Sequence, residues 1–242
     1  MGVATREAYG KVLKEELSQN PQVVVLDADL GQATKSMAFK SVCPERYFDM
    51  GIAEQDMMGT AAGLAACGKI PIASTFAMFA AGRAFEQVRN SIAYPKLNVK
   101  IAATHAGVTV GEDGGSHQAI EDISLMRSIP NMVVINPADA KEAEEAIKAA
   151  VQYYGPVYLR LGRAAVPDLH KSSYQFNWGK GEILQEGSDI GIIATGIMVG
   201  KALKAAEQLA EKGIHARVIN MHTIKPIDEA LIIETAKLTG AL

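Results

Sequence analysis

Short apolar runs rich in Val and Ile alternate along this chain with stretches whose hydrophobic residues return at helical spacing. QVVVLDADL, KIPIASTF, LNVKIAATH, MVVIN and PVYLRLG lack the polar residue at every second place that a half-exposed strand shows, so they read as strands buried on both faces. RYFDMG is a shorter strand of the same set. An amphipathic helix is expected from Val3 to Gln19, and others from Gly82 to Tyr94 and from Asp139 to Tyr153. After Gly51 a run of Ala, Met and Gly predicts a helix beginning near Glu54 and buried nearly all round. Strands alternating with helices predict a parallel sheet covered on both faces, one α/β domain over residues 1–166.

Residues 167–181 read as a linker, with Pro, Ser, Asn, Gly and Trp178. A new β-α-β pattern follows over residues 182–242: DIGIIATG, a helix from Met198 to Lys212, HARVINM, and a last helix beginning near Asp228. Two strands and two helices are too few to close a core. The segment is therefore expected to be the start of a second, smaller α/β domain, completed by further chain or by a partner.

At 242 residues and 48% hydrophobic, the chain buries a sizeable core. A net charge of -3 with acids and bases interspersed gives no electrostatic reason to expect nucleic acid or an anionic membrane surface. No apolar run approaches the ~20 residues of a membrane span, and a cytoplasmic location is expected. Cys43 and Cys67 form no CxxC pair and are expected to be buried free thiols.

Ligands of open α/β sheets bind at the carboxyl ends of the strands, and there the sequence places Asp29, Glu54, Phe76, Phe79, His105, Asp113, His117 and Arg160. Glu54 at a helix start has a plain explanation, since negative charge there is favoured by roughly 0.3 to 1 kcal/mol. Its small-residue flank allows a second one: a flat ligand can approach closely, and a carboxyl beside it can relay a proton. His105, Glu112, Asp113 and His117 offer metal-type donors, but they lack a helical His-x-x-x-His frame and are separated by glycines. No metal site is expected within this chain; two histidines and two acids in one polar loop favour substrate binding. Phe76 and Phe79, three residues apart, read by themselves as core.

In the order ATR, DADL, GIAEQD, STFAMF, ATHAGVTVGEDGGSHQ and YLRLGR, these segments resemble the pyrimidine-binding domain and following segment of transketolase, over essentially the whole chain. GEDGGSHQ is the most specific of them. A related family, deoxyxylulose-phosphate synthase, shares GIAEQ but typically has no histidine at the place of His105. The Gly-Asp-Gly motif of the diphosphate-binding half does not occur here. The resemblance thus implies the C-terminal subunit of a split transketolase, working with a separate N-terminal, diphosphate-binding subunit in a hetero-tetramer.

That resemblance implies thiamine diphosphate as cofactor, with Mg2+ or Ca2+ held by the partner, and sugar phosphates as substrates. It assigns Glu54 to the pyrimidine N1′, Phe76 and Phe79 to stacking on that ring, and Asp29 to the cofactor site across the interface. His105 and His117 are implied to bind donor oxygens and move protons, Asp113 to grip a sugar hydroxyl, and Arg6 and Arg160 to bind phosphate. Where relatives commonly offer a serine to the phosphate this chain has Ala33, so that either Thr34 or Lys35 substitutes or the contact is missing. A deoxyxylulose-phosphate synthase-like enzyme and a non-catalytic regulatory module of the same fold are the alternatives; Glu54, both histidines and Arg160 speak against the latter.

Overall fold

All of β1 (Val23–Asp27) is buried, with Val23 and Val25 in the core on one face and Val24 and Leu26 in the core on the other. A strand of this kind is stable only inside a sheet covered on both sides. The computed structural model describes residues 2–242, so the expected domain start at Met1 lies outside it. Helix α1 (Thr5–Glu15) precedes β1. Two short helices, α2 (Gly31–Thr34) and α3 (Met37–Lys40), lead to β2 (Tyr47–Asp49), α4 (Glu54–Ala66) and β3 (Ile70–Phe76). Then come short α5 (Phe85–Gln87), β4 (Lys100–Thr104), α6 (Asp122–Ser128), β5 (Val133–Ile135), α7 (Ala140–Gln152) and β6 (Val157–Arg160).

These strands pair in the order β5-β6-β4-β3-β1-β2, each parallel to its neighbours. Helices α1 and α7 pack together over one face, enclosing Tyr9, Leu13, Ile72, Ile147 and Leu159. On the other face α4 and α6 enclose Leu26, Met57, Met58, Ile101 and Met126. Each such side chain contributes about 1.5 to 3 kcal/mol when fully buried. Helix α7 is set by a sequence-readable cap: Asp139 accepts the Glu142 N–H at 2.8 Å, and Glu142 reaches back to the Ala138 N–H at 2.6 Å.

Several sequence expectations are corrected here. Helix α4 is buried on one side only, leaving Gln55, Asp56, Gly63 and Ala66 exposed. The helix expected from Gly82 begins earlier, and α5 lies between two wide π-helical stretches, Phe79–Arg83 and Val88–Ala93. Cys43 is buried but Cys67 is exposed, just past the end of α4.

Beyond the first sheet come β7 (Glu182–Gln185), β8 (Ile190–Ala194), α8 (Met198–Ala210), β9 (Ala216–Asn220), β10 (Thr223–Lys225) and α9 (Glu229–Thr239). Three of these strands form a small sheet, β7-β9-β8, where two had been expected. Ala202 and Ala206 of α8 cover one face, and Leu231 of α9 joins Ile219 and Met221 on the other. Strand β10 leaves this sheet and pairs antiparallel with β5, Thr223 opposite Ile135, so a strand from the 182–242 segment closes the edge of the first sheet. The linker packs back as well, Trp178 stacking on Tyr153 at 4.7 Å. Among the described residues no helix is long and apolar enough to cross a membrane.

Candidate functional site

Strand β3 delivers Phe76, and the π-helical turn after it delivers Phe79; their rings lie 5.9 Å apart and nearly parallel, at 9°. Glu54 opens α4 with its side chain only 1% exposed, far drier than a solvated helix-terminal charge needs to be. Arg83, the last residue of the same π-helical turn, donates to Glu54 Oε2 at 2.7 Å. Its guanidinium carbon sits 4.5 Å from the centre of the Phe79 ring.

At the end of β4, His105 adopts a left-handed backbone (φ 57°), a costly conformation for a residue with a Cβ, and stacks on Phe76 at 3.8 Å. Arg6 Nη1 lies 2.9 Å from His105 Nε2, and Thr104 Oγ1 lies 2.9 Å from Nδ1. A guanidinium only donates, so Nε2 accepts and the ring proton sits on Nδ1, facing the threonine hydroxyl. Burial, and after it the charge of Arg6, pushes the His105 pKa down to about 4, leaving a neutral imidazole at pH 7. Arg6 is held in place because the start of α1 is pinned to the segment after β6: the Gly162 N–H donates to Thr5 Oγ1 at 2.7 Å. Arg6 Nη1 also donates to the Ala33 carbonyl at 3.0 Å, while its Nε is buried without a hydrogen-bond partner.

The polar loop after His105 turns through Gly107, Gly111 and Gly114, all at positive φ, and carries His117 edge-on to Phe79 at 5.3 Å. Asp113 lies within electrostatic reach of Arg6, His105 and Arg163. Arg163 donates to the Val110 carbonyl and to the Glu112 carboxylate, which lowers the pKa of Glu112. A Cβ at position 111 would stand 2.1 Å from Arg163 Nη1, so this clamp requires glycine there. Asp29 is exposed past the end of β1, its N–H donating to Asp49 Oδ1 at 3.1 Å.

Arg160 stands apart from this cluster's free donors. Its Nε and Nη2 donate to Asp122 at 2.8 and 3.1 Å, and Tyr158 donates its hydroxyl to the same carboxylate at 2.9 Å. The residue beside Arg6 and the polar loop is Arg163, which the sequence reading passed over. Its only signal was position: it follows Gly162, beyond the strand end, where ligands are met. Thr34 does not substitute for the missing serine, because its buried hydroxyl donates to Asp27 at 2.8 Å. Lys35 pairs with Glu7 at 3.0 Å. Arg83 was also missed, lying in a π-helical turn that has no readable period.

Three potential metal donors, Glu142, His170 and Glu182, gather away from these strand ends. Both nitrogens of His170 already face carboxylates, Asp139 at 3.0 Å and Glu182 at 2.9 Å, which leaves neither free for an ion.

The sequence matches the family model for the transketolase pyrimidine binding domain over residues 1–168 and that for the transketolase C-terminal domain over residues 179–242. A putative transketolase C-terminal section of Methanocaldococcus jannaschii is 53% identical, the match covering 94% of this chain and 72% of that protein. A 6-deoxy-6-sulfo-D-fructose transketolase subunit of a Clostridium species is 44% identical over 98% of this chain and 74% of its own length. A solved structure described as a split gene transketolase, inactive beta4 tetramer, superposes with a TM-score of 0.91 at 58% identity, over 99% of this chain and 78% of the other.

Proposed function

As the chain belongs to the transketolase family, whose members are generally thiamine-diphosphate-dependent transferases, we propose that it is the pyrimidine-side subunit of a two-chain transketolase. It moves a two-carbon ketol unit from a ketose phosphate to an aldose phosphate at a site completed by a separate diphosphate-binding subunit, two of each chain forming the assembly. The observation that carries this reading is the convergence, at adjoining strand ends, of a dry carboxyl, two parallel aromatic rings, a neutral histidine and two arginines.

The residues fit the aminopyrimidine end of the cofactor, because a flat nitrogen donor already lies over Phe79 and donates to Glu54 in the form of the Arg83 guanidinium. Bound thiamine diphosphate supplies a nucleophilic carbon and an electron sink. Glu54 holds and exchanges a proton at the ring's N1′, and its dry setting strengthens that hydrogen bond. Phe76 and Phe79 fix the plane of the ring. With Arg6 Nη1 turned from His105 Nε2 to the phosphate, the lone pair of this neutral imidazole is left to take a proton from a donor hydroxyl, and His117 faces it across the phenyl rings. Asp113 accepts from a sugar hydroxyl. Arg6, whose Nε makes no hydrogen bond and only a 3.9 Å ion pair with Glu7, and Arg163 bind the phosphate, the second in the role expected of Arg160. The diphosphate and its Mg2+ or Ca2+ belong to the partner, and Asp29 faces the cofactor from this side of the interface.

Ketol transfer from xylulose 5-phosphate to ribose 5-phosphate, measured with and without the diphosphate-binding subunit, tests the proposal. Activity is expected only with both chains. Condensation of pyruvate in its place would make the pair a deoxyxylulose-phosphate synthase, and micromolar binding of thiamine diphosphate by this chain alone would overturn the split site.

A further inference from the structure

Arg83 meets two requirements at once that the cofactor's ring must also meet. Its planar, hydrogen-bond-donating group lies 4.5 Å over Phe79, and it donates to Glu54 Oε2 at 2.7 Å. Two flat donors do not share that face and that oxygen. Glu54 is sealed from water, whereas the Arg83 side chain is 44% exposed, so the arginine has an open path outward and the carboxylate does not. Among the described residues Arg83 makes no other ion pair, so only Glu54 and the Phe79 ring hold its tip. Without it, the free chain would leave a carboxylate in a dry pocket with no partner, a state that proteins avoid.

We propose that Arg83 is a built-in stand-in for the aminopyrimidine ring: it occupies Phe79 and Glu54 in the cofactor-free chain and swings out to solvent when the ring enters. This rests on the function proposed above. The arginine keeps Glu54 oriented and paired before assembly, and it sets a toll on binding, because only the fraction of molecules with Arg83 turned out can accept the ring. By thermodynamic linkage, whatever stability Arg83 gives the free chain must be lost again on loading.

The test is Arg83→Gln, with Arg83→Lys as a milder variant that keeps the charge but not the plane. Thiamine diphosphate with Mg2+ is titrated calorimetrically into the reconstituted two-chain complex, and thermal melting is recorded for the free chain and for the loaded complex. Glutamine should tighten cofactor binding by about fivefold to tenfold, the scale of one part-exposed charge-assisted contact. It should lower the melting temperature of the free chain but not that of the loaded complex, and lysine should shift both readouts less. Weaker or unchanged cofactor binding in Arg83→Gln, with wild-type binding intact, would overturn the stand-in and show that Arg83 stays on Glu54 in the loaded site. Equal melting losses in both states would reduce it to a structural residue. A wild-type complex that takes up no thiamine diphosphate would overturn the functional reading itself.

Discussion

Replacing Arg163 and Arg160 one at a time tests the proposal that Arg163, just past β6, binds ligand while Arg160, at its end, is structural. Arg163 holds a surface carboxylate, Glu112, and a loop carbonyl, so Arg163→Ala should leave melting unchanged. Its cost should fall on phosphate recognition: losing one charge-assisted contact lowers kcat/KM roughly 10-fold to 100-fold, mainly through KM. Arg160→Ala acts differently, because it strands Asp122, 1% exposed, beside Tyr158 in the core. Breaking a buried pair from one side costs about 3 kcal/mol, the low end of the usual range because Arg160 itself is 14% exposed. In a domain of this size that is a melting shift of about 6 to 12 °C. The assay compares xylulose 5-phosphate with an unphosphorylated ketose donor, alongside thermal melts of both variants. If Arg160→Ala keeps its melting temperature and loses only the phosphorylated donor, the assignment of the two arginines is wrong.

The core of the fold was legible because burial on both faces leaves a direct trace: β1, β3, β4 and β6 lack the polar residue at every second place that a half-exposed strand shows, and α7 announces itself by Asp139 and Glu142. Strands β7 and β10 were not, for opposite reasons. β7 is half-buried throughout and lacks an apolar run, while β10 is three residues long and finds β5 only through the return of the chain. At the candidate site, residue type and strand-end position picked out Glu54, the two phenylalanines and the histidines, which the structure brings together. They do not reveal that Arg160 is taken up by Asp122 on α6, a tertiary neighbour with no periodic signature. Arg83 was invisible for a related reason: the turn that aims it is π-helical, and helical spacing counted from Gly82 points elsewhere.

Glu54→Gln keeps the volume but removes the exchangeable carboxyl proton, so proton–deuteron exchange at C2 of the bound cofactor should slow by ~10² to 10⁴-fold with assembly intact; exchange at the wild-type rate would refute the role. Lys100→Met should destabilise the chain by roughly 3 kcal/mol in urea melts, because the buried ammonium donates to Asn98 Oδ1 and to the Tyr153 and Gly155 carbonyls, each at 2.7 Å; the two carbonyls would lose this donor, while Asn98 Oδ1 would keep only the Gly155 N–H. The seam between the two sheets carries its own pH signature. Burial works against a charge on His170, yet the carboxylates of Asp139 and Glu182 outweigh it and raise the pKa from 6.5 to about 10. Glu142 beside it, raised by burial from 4.5 to about 7, also binds its proton more tightly in the folded chain, and the neighbouring Tyr174 and His222 stay neutral between pH 6.5 and 10. A raised folded pKa means stability that is fully present below the unfolded value and lost as pH rises through the folded one. Glu142 therefore weakens the fold between about pH 4.5 and 7, and His170 between about pH 6.5 and 10. Lys100, lowered to about 7 by burial, slopes the other way above pH 7, so the absolute curve mixes opposing trends. The difference between wild type and His170→Gln isolates the histidine: urea melts should show the mutational loss to be largest near pH 6 and to shrink steadily toward pH 10. A loss that does not change over that range would mean that His170 holds the linker by packing alone and not as an imidazolium between two carboxylates.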